Sequence, residues 1–316
     1  MKIAIIDGVN QDIGLKILFP NADYYINNNE IDKSDSLNKY NIEIYTDWDN
    51  INDKNYDYLF IIISYYDCLK ERKFFKQNIY DIWEKELKII NKNNFKKVFV
   101  FDNYDYDYDP NNYIDNKKIT YFFKRNYNKN KIYKNNVIPF PFIMFGKLSI
   151  IEKIIDNNIE DYENPPNKIN RIIFTGTLFK HIDNQINYIR DRKEIFYKIK
   201  NYIYNPKRMS YNNYLKAIKE SKFALDLNGV GDPNKRTFEI LSQGTLMISE
   251  YNNLKWPFED EFRKETIFKN ETEFKYIMNN LINNNNLYNN CLKNQNNIYK
   301  KYFNIEWIKN YILKFI

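Results

Sequence analysis

The residues most capable of chemistry lie close together between residues 223 and 249. There an apolar run that predicts a strand leads into a loop with Gly229 and Gly231, and then into a predicted helix that contains Arg236. Loops of this kind follow the carboxyl ends of parallel strands, where α/β proteins bind ligands. Glycine lets backbone N–H groups approach a ligand, and the positive end of a helix dipole favours phosphate. The segment therefore predicts a site for a phosphorylated molecule.

Charged side chains on the predicted helix support this interpretation. Basic residues at a helix N-terminus oppose the dipole, so Lys235 and Arg236 call for another reason, such as a bound anion. A charged hydrogen bond to phosphate contributes about 1.5–3 kcal/mol. Glu239 lies on the same helix face as Arg236, and a carboxylate there can accept two ribose hydroxyls. The alternative is a surface Arg–Glu pair, which contributes about 0–1 kcal/mol.

The scarcity of glycine makes each remaining glycine informative. Only 7 of the 316 residues are Gly and 9 are Pro, whereas Asn, Lys, Ile and Tyr are abundant. We interpret this skew as the codon bias of an AT-rich genome, so runs of Asn carry little functional information. A retained glycine is expected where a side chain is not tolerated. Four of the seven lie in or near the predicted site, namely Gly176, Gly229, Gly231 and Gly244.

Composition argues against several classes of protein. The net charge is +7, but the lysines are scattered and no arginine-rich stripe with interleaved aromatic residues predicts specific nucleic-acid binding. Two cysteines and a single histidine, His181, cannot form a disulfide framework or a zinc centre. No signal peptide is recognisable, and no apolar run approaches the ~20 residues of a membrane span. We expect a cytoplasmic protein with no transmembrane segment and no metal.

Strands and helices alternate in both halves of the chain, which predicts an α/β fold with parallel sheets. Strands are predicted at residues 2–7, 22–26, 42–45, 57–64, 97–102, 119–123, 137–140, 171–175, 223–227, 246–249 and 266–268. Helices are predicted at residues 74–93, 147–155, 190–202, 210–221 and 235–243, and from about 271 to 316. A polar segment with Pro165 and Pro166 separates the halves.

The predicted site resembles the donor-site segment of GT-B glycosyltransferases, most closely that of the exostosin-like and spore-maturation-type groups. The similarity is carried by the Gly-rich turn and by the run RTFEILSQGTL from Arg236 to Leu246. Phe174–Thr177 is similar to the first strand and turn of that domain, and Ser210–Phe223 to the helix and strand before the Gly-rich loop. The resemblance covers roughly residues 171–251, and the N-terminal half matches only in pattern.

This resemblance implies two Rossmann-like domains that face a central cleft. The expected N-terminal acceptor domain spans residues 1–146, the linker 147–168 and the C-terminal nucleotide-sugar donor domain 169–303, and a helix over 304–316 returns to the N-terminal domain. The implied activity is glycosyl transfer from a nucleotide-sugar to a hydroxyl of a glycan, glycoprotein or lipid-linked acceptor. Neither a metal nor another cofactor is implied.

The resemblance also assigns roles to residues. Glu239 would hold the donor ribose, and Arg236 would face the diphosphate. Met247 stands where many retaining members carry a second Glu, so the stereochemical outcome stays open. The complete set of implied donor-binding residues is Thr175, Gly176, Thr177, Lys207, Arg208, Gly229, Gly231, Arg236, Thr237 and Glu239.

A hydroxyl acceptor requires a general base, which the N-terminal domain is expected to supply. Asp7 and Asp102 each end a predicted strand and are the candidates, although Asp at a strand end is also ordinary turn chemistry.

Other functions remain open. A GT-B-like protein that has lost catalysis and serves in binding or structure would show the same pattern. A dehydrogenase-type Rossmann protein is disfavoured because Gly8 and Gly14 do not complete a G-x-G-x-x-G motif. A basic nucleic-acid binder is the remaining alternative.

Overall fold

A computed structural model describes residues 1–7, 14–26, 42–63, 79–102, 110, 118–140, 168–176, 192–204, 209–228 and 235–316. The chain divides into two compact units. The first comprises Met1–Ile151, Lys255–Pro257 and Ile308–Ile316, and the second comprises Glu152–Leu254 and Phe258–Trp307. Each unit contains a parallel sheet, which confirms the α/β fold predicted from the sequence.

The sheet of the first unit has the strand order of a doubly wound Rossmann fold. Its strands are β1 (Ile3–Asp7), β2 (Asp23–Ile26), β3 (Ile44–Tyr45), β4 (Tyr58–Ile63), β5 (Lys97–Asp102), β6 (Ile119–Lys124) and β7 (Val137–Pro139). Among the described residues they are all parallel and follow the order β3-β2-β1-β4-β5-β6-β7. The described helices are α1 (Gly14–Leu18), α2 (Ile79–Lys92) and a 3₁₀ turn (Trp48–Ile51). The order reverses between β1 and β4, which makes this the topological switch point.

The second unit contains a smaller parallel sheet. Its strands are β8 (Ile169–Ile173), β9 (Ile203–Tyr204), β10 (Ser221–Asp226), β11 (Leu246–Glu250) and β12 (Ile267–Phe268), in the order β12-β11-β10-β8-β9. Its helices are α3 (Arg192–Ile199), α4 (Tyr211–Glu220), α5 (Lys235–Ser242), α6 (Glu271–Asn283) and α7 (Asn285–Tyr302), with 3₁₀ turns at Lys200–Tyr202, Glu259–Glu261 and Lys264–Thr266. Helix α8 (Ile305–Leu313) follows, and from Ile308 onward it belongs to the first unit. The switch point of this sheet lies between β8 and β10.

The predicted strands are confirmed, with ends that move by no more than two residues. Strands such as β4 and β5 are buried almost throughout, and near-continuous apolar runs are typical of parallel strands covered on both faces. Among the described strands and α-helices, α1 and β9 were not predicted, and both are too short to show a clear periodicity. The helix predicted at residues 147–155 lies outside the described residues.

The end of the chain packs on the first sheet. The Phe315 ring lies 5.1 Å from the Tyr121 ring and 5.3 Å from the Phe123 ring, measured between centroids. The Tyr311 hydroxyl donates to the Pro139 carbonyl at 2.8 Å, and Lys97 Nζ donates to the Phe315 carbonyl at 2.6 Å. These contacts confirm that the last helix returns to the N-terminal sheet.

The expected domain limits stay predictions. Apart from Lys168, the predicted linker 147–168 lies outside the described residues. The structure adds a short segment to the first unit, Lys255–Pro257, where the Lys255 N–H donates to the Tyr127 carbonyl at 2.7 Å.

Local features fix one end of each of two helices, the start of α4 and the end of α5. Ser210 caps α4, and its hydroxyl accepts from the Asn213 N–H at 3.4 Å. Gly244 follows α5 with φ of 56°, a left-handed conformation that favours glycine. Helix α4 packs against β10, and α5 packs against α4, β10 and β11. The fixed ends of the two helices therefore help to position α5 on the sheet.

A buried glutamine completes the edge of β11. Strand β12 pairs with β11 only at Ser249 and Glu250. At Met247, the Gln295 amide takes the place of a neighbouring strand: its oxygen accepts from the Met247 N–H at 2.8 Å and its nitrogen donates to the Met247 carbonyl at 2.9 Å. Gln295 is only 1% exposed, so water cannot replace these bonds.

We predict that Gln295→Leu lowers the free energy of unfolding by about 2–4 kcal/mol, because it leaves a buried N–H and a buried carbonyl without partners. Urea denaturation measures this change. The matched control is Asn290→Leu on the exposed side of α7, which should change stability by less than about 0.5 kcal/mol. Equal losses in the two variants would contradict the assigned role of Gln295.

Candidate functional site

The implied donor-site residues that the structure describes gather at the carboxyl end of the second sheet. The chain continues from β8 through Phe174 and Thr175 to Gly176, and the neighbouring strand β10 ends at Asp226. Helix α5 begins at Lys235 and carries the remaining described members of the set. This edge is the switch point of the sheet, the place where open α/β sheets bind ligands.

The guanidinium of Arg236 is held by two neighbours of different chemistry. Its Cζ atom lies 4.8 Å from the centroid of the Phe174 ring, which is a cation–π contact. Its Nη1 atom lies 3.9 Å from Oδ1 of Asp226. The Arg236 side chain is 13% exposed. A cation–π contact contributes about 0.5–2 kcal/mol, more when it is shielded from water, so these neighbours orient the cation before any ligand arrives.

Gly176 has no side chain, and the Arg236 guanidinium occupies the space that a side chain would fill. A Cβ atom at this position would lie 2.9 Å from Cζ of Arg236 and 2.5 Å from Cζ of Phe174, and it would also collide with Nη2 of Arg236. Any residue larger than glycine would therefore have to displace the guanidinium or the ring. This is a physical reason for a glycine at this point of a chain that contains so few.

Glu239 is oriented by a tyrosine. The Tyr214 hydroxyl donates to Oε2 of Glu239 at 2.8 Å, and Thr175 also hydrogen-bonds Tyr214. Burial and the nearby Glu239 carboxylate raise the pKa of Tyr214 well above its ordinary value, so the hydroxyl keeps its proton at neutral pH. Thr175, just after the end of β8, and Glu239, on α5, are thus linked through Tyr214 on α4.

Asp226 ties the first turn of α5 to the end of β10. The Thr237 hydroxyl donates to Oδ2 of Asp226 at 2.6 Å, while Arg236 faces the other carboxylate oxygen. Asp226 is 7% exposed. Sequence reasoning did not select Asp226, although it ends an apolar strand just as Asp7 and Asp102 do. The same signal, applied to the C-terminal half, would have found it.

The ends of β10 and β11 are joined beside this cluster. The Asn228 N–H donates to Oε2 of Glu250 at 3.1 Å, and the Asn228 side chain donates to the Tyr251 carbonyl at 2.7 Å. Glu250 is 6% exposed. Sequence reasoning missed Glu250 and Tyr214, because their partners depend on which strands and helices become neighbours.

The two candidate bases lie at the carboxyl edge of the first sheet. Asp7 pairs with Ile62 in the register of β1 and β4, and Asp102 pairs with Ile63 in that of β4 and β5. Oδ2 of Asp7 accepts from the Tyr24 hydroxyl at 2.7 Å. Oδ2 of Asp102 lies 3.3 Å from Nζ of Lys124, and both of these side chains are fully buried. Their role as bases stays a prediction.

Several implied site residues lie outside the described part of the chain: Thr177, Lys207, Arg208, Gly229 and Gly231. His181 lies outside it too. Within the described residues, no group of three or more His, Cys, Asp and Glu side chains is placed to hold a metal ion. No helix among them has the length and apolar character needed to cross a membrane.

No protein-family model and no curated protein matches the sequence. Solved structures do match. T4 phage β-glucosyltransferase is 17% identical with a TM-score of 0.51, over 100% of this chain and 99% of that one. UDP-GlcNAc 2-epimerase from Neisseria meningitidis, bound to UDP-GlcNAc, is 11% identical with a TM-score of 0.51 and the same coverage. Anabaena Alr3699/HepE, in complex with UDP, is 10% identical with a TM-score of 0.54, over 99% of both chains. The similarity shows that this chain has the GT-B fold.

We predict that Gly176→Ala lowers the free energy of unfolding by about 1–3 kcal/mol, because the added methyl group overpacks the space around Arg236. In an Arg236→Ala background the same change should cost less, since the crowded guanidinium is gone. Chemical denaturation of the two single variants and the double variant measures this coupling, which should reach at least about 0.5 kcal/mol. Additive losses would show that Gly176 and Arg236 do not share the space.

Proposed function

We propose that this protein is a glycosyltransferase that takes its sugar from a nucleotide-sugar and binds the nucleotide at the carboxyl end of the second sheet. The observation that carries the proposal is the placement of Arg236 and Glu239. Both are held by neighbouring side chains at the switch point of the sheet, and they are the cation and the carboxylate that a nucleoside diphosphate requires. The GT-B fold supports the proposal.

Each residue of this cluster has a chemical task. The Arg236 guanidinium binds the diphosphate and stabilises the negative charge that grows on it as the sugar departs. The Glu239 carboxylate accepts hydroxyls of the ribose, while Tyr214 fixes its orientation. Thr175, Gly176 and Thr237 shape the floor around these groups. The narrower resemblance to exostosin-like and spore-maturation-type enzymes supports the same assignment through the Arg-x-x-Glu helix.

The transfer step needs a base and an acceptor hydroxyl. A carboxylate takes the acceptor proton, the acceptor oxygen bonds to the anomeric carbon, and the bond from that carbon to the diphosphate breaks. Asp7 and Asp102 are the candidate bases, and Nζ of Lys124 lies 3.3 Å from Oδ2 of Asp102. The acceptor belongs to a glycan, a glycoprotein or a lipid-linked sugar. The small number of cysteines supports action in the cytoplasm.

A nucleotide-sugar epimerase is the second candidate, because the Neisseria enzyme shares the fold at the same TM-score as the T4 enzyme. Product analysis separates the two. A transferase releases a nucleoside diphosphate and leaves its sugar on an acceptor, or on water if no acceptor is present. An epimerase returns a sugar of changed configuration. A protein that binds the nucleotide and does neither is the inactive GT-B-like alternative.

We predict that a nucleoside diphosphate at 100 times its Kd stabilises the protein by about 2.7 kcal/mol, measured by thermal unfolding against a panel of UDP, GDP, ADP and dTDP. The best ligand should bind about tenfold more weakly to Glu239→Gln, through loss of a charged hydrogen bond to ribose. Glu306→Gln makes the same substitution at an exposed position, and this variant should bind the ligand as tightly as the wild type does.

The 2′-deoxy form of the best ribonucleotide in the panel sharpens this test. The wild type should prefer the ribose form, and Glu239→Gln should bind both forms almost equally. Stabilisation by none of the four nucleotides would overturn the proposed function. Full ribose preference in Glu239→Gln would leave the nucleotide site in place but reject Glu239 as its ribose contact.

We also predict that turnover needs no metal ion, because basic side chains neutralise the leaving diphosphate. T4 phage β-glucosyltransferase has been solved in complex with UDP and Mn²⁺, so this point calls for direct measurement. Release of the nucleoside diphosphate from a nucleotide-sugar should be the same with excess EDTA as without it. An activity that disappears with EDTA and returns with Mn²⁺ would contradict the prediction.

A further inference from the structure

The Asp226 carboxylate lies beneath the first turn of α5 and faces two consecutive side chains. Thr237 donates its hydroxyl to Oδ2 at 2.6 Å. Arg236 places Nη1 at 3.9 Å from Oδ1. The side chains of Asp226 and Arg236 are only 9% and 13% exposed, so water screens their attraction much less than it screens a surface pair.

The geometry differs from that of a closed bidentate salt bridge. Charged hydrogen bonds between nitrogen and oxygen are about 2.7–2.9 Å long, and the 3.9 Å separation is clearly longer. The carboxylate therefore attracts the guanidinium without closing on it through Nη1. Thr237 anchors the carboxylate from the other side, and Phe174 supports the guanidinium with its ring.

We infer that Asp226 is a positioning residue, which fixes the guanidinium of Arg236 where it binds the diphosphate of the donor. This inference rests on the proposed function. The two ways in which Asp226 could act predict opposite changes in diphosphate affinity. Asp226 is itself negative, so if it acted only through its charge, removing it would strengthen the binding of an anion. If it acts by holding Arg236, removing it weakens that binding.

The test is calorimetric titration of UDP, or of whichever nucleoside diphosphate stabilises the wild type, and of the matching nucleoside. Asp226→Asn should weaken binding of the diphosphate about tenfold or more, the value of one charged hydrogen bond, and leave the affinity for the nucleoside within about threefold of the wild-type value. Asp260→Asn, an exposed change of identical charge, should leave both unchanged. Equal or tighter binding of the diphosphate to Asp226→Asn overturns the inference.

A double-variant comparison separates positioning from a general structural role. In an Arg236→Ala background, Asp226→Asn should have no further effect on diphosphate affinity, because the residue it acts through is gone. A tenfold loss that persists in that background overturns the inference.

If Asp226→Asn does not fold, Thr237→Val replaces it. That variant removes the hydrogen bond that holds the carboxylate, and it should weaken the diphosphate but not the nucleoside. Unchanged diphosphate affinity in Thr237→Val overturns the inference.

A ligand-free measurement distinguishes failure of this inference from failure of the proposed function. ¹⁵N relaxation at Nε of Arg236 should report a rigid side chain in the wild type and a mobile one in Asp226→Asn or Thr237→Val. A rigid Arg236 in both proteins overturns the inference whatever UDP does. A wild type that binds no nucleoside diphosphate, but in which Arg236 loosens as expected, rejects the proposed function and retains Asp226 as the anchor of Arg236.

Discussion

The cluster at the carboxyl end of the second sheet depends on one constraint: the Arg236 guanidinium lies where little water reaches it, and the cost of burying its charge must be offset. Burying an uncompensated charge is unfavourable, so the Arg236 guanidinium requires compensation from its surroundings. The Phe174 ring and the Asp226 carboxylate provide it, and Gly176 leaves the space. Phe174 and Gly176 lie in the segment that follows β8, and Asp226 is the last residue of β10. The arrangement therefore exists only because β8 and β10 are neighbours in a parallel sheet.

The surrounding elements hold this cluster at several points. Helix α5 is tied at its first turn by Thr237 and is followed by Gly244 in a left-handed conformation, and Tyr214 on α4 holds Glu239 in the middle of α5. A site whose groups are already oriented loses less entropy when a ligand binds, which is why such supporting contacts matter to function. The cation and the carboxylate that we assign to the donor are thus fixed by the fold itself.

The sequence predicts the strands well because buried parallel strands such as β4 and β5 are continuous apolar runs. It also predicts Gly176, Arg236 and Glu239 as members of one site, because glycine scarcity and helix spacing are local signals. Contacts between residues far apart in the sequence are harder to predict, because they depend on which strands and helices become neighbours. Tyr214 is in reach of Glu239 only once α4 and α5 pack together, and Gln295 lies in a polar helix that shows no sign of a buried amide.

We propose that the carboxyl end of the second sheet binds the nucleotide of an activated sugar through Arg236 and Glu239. The most direct measurement is a crystal structure of the protein with UDP bound. Our account predicts a phosphate oxygen within about 2.7–3.0 Å of the Arg236 guanidinium and ribose hydroxyls at the Glu239 carboxylate. UDP bound elsewhere, or bound here without contact to either side chain, would contradict it.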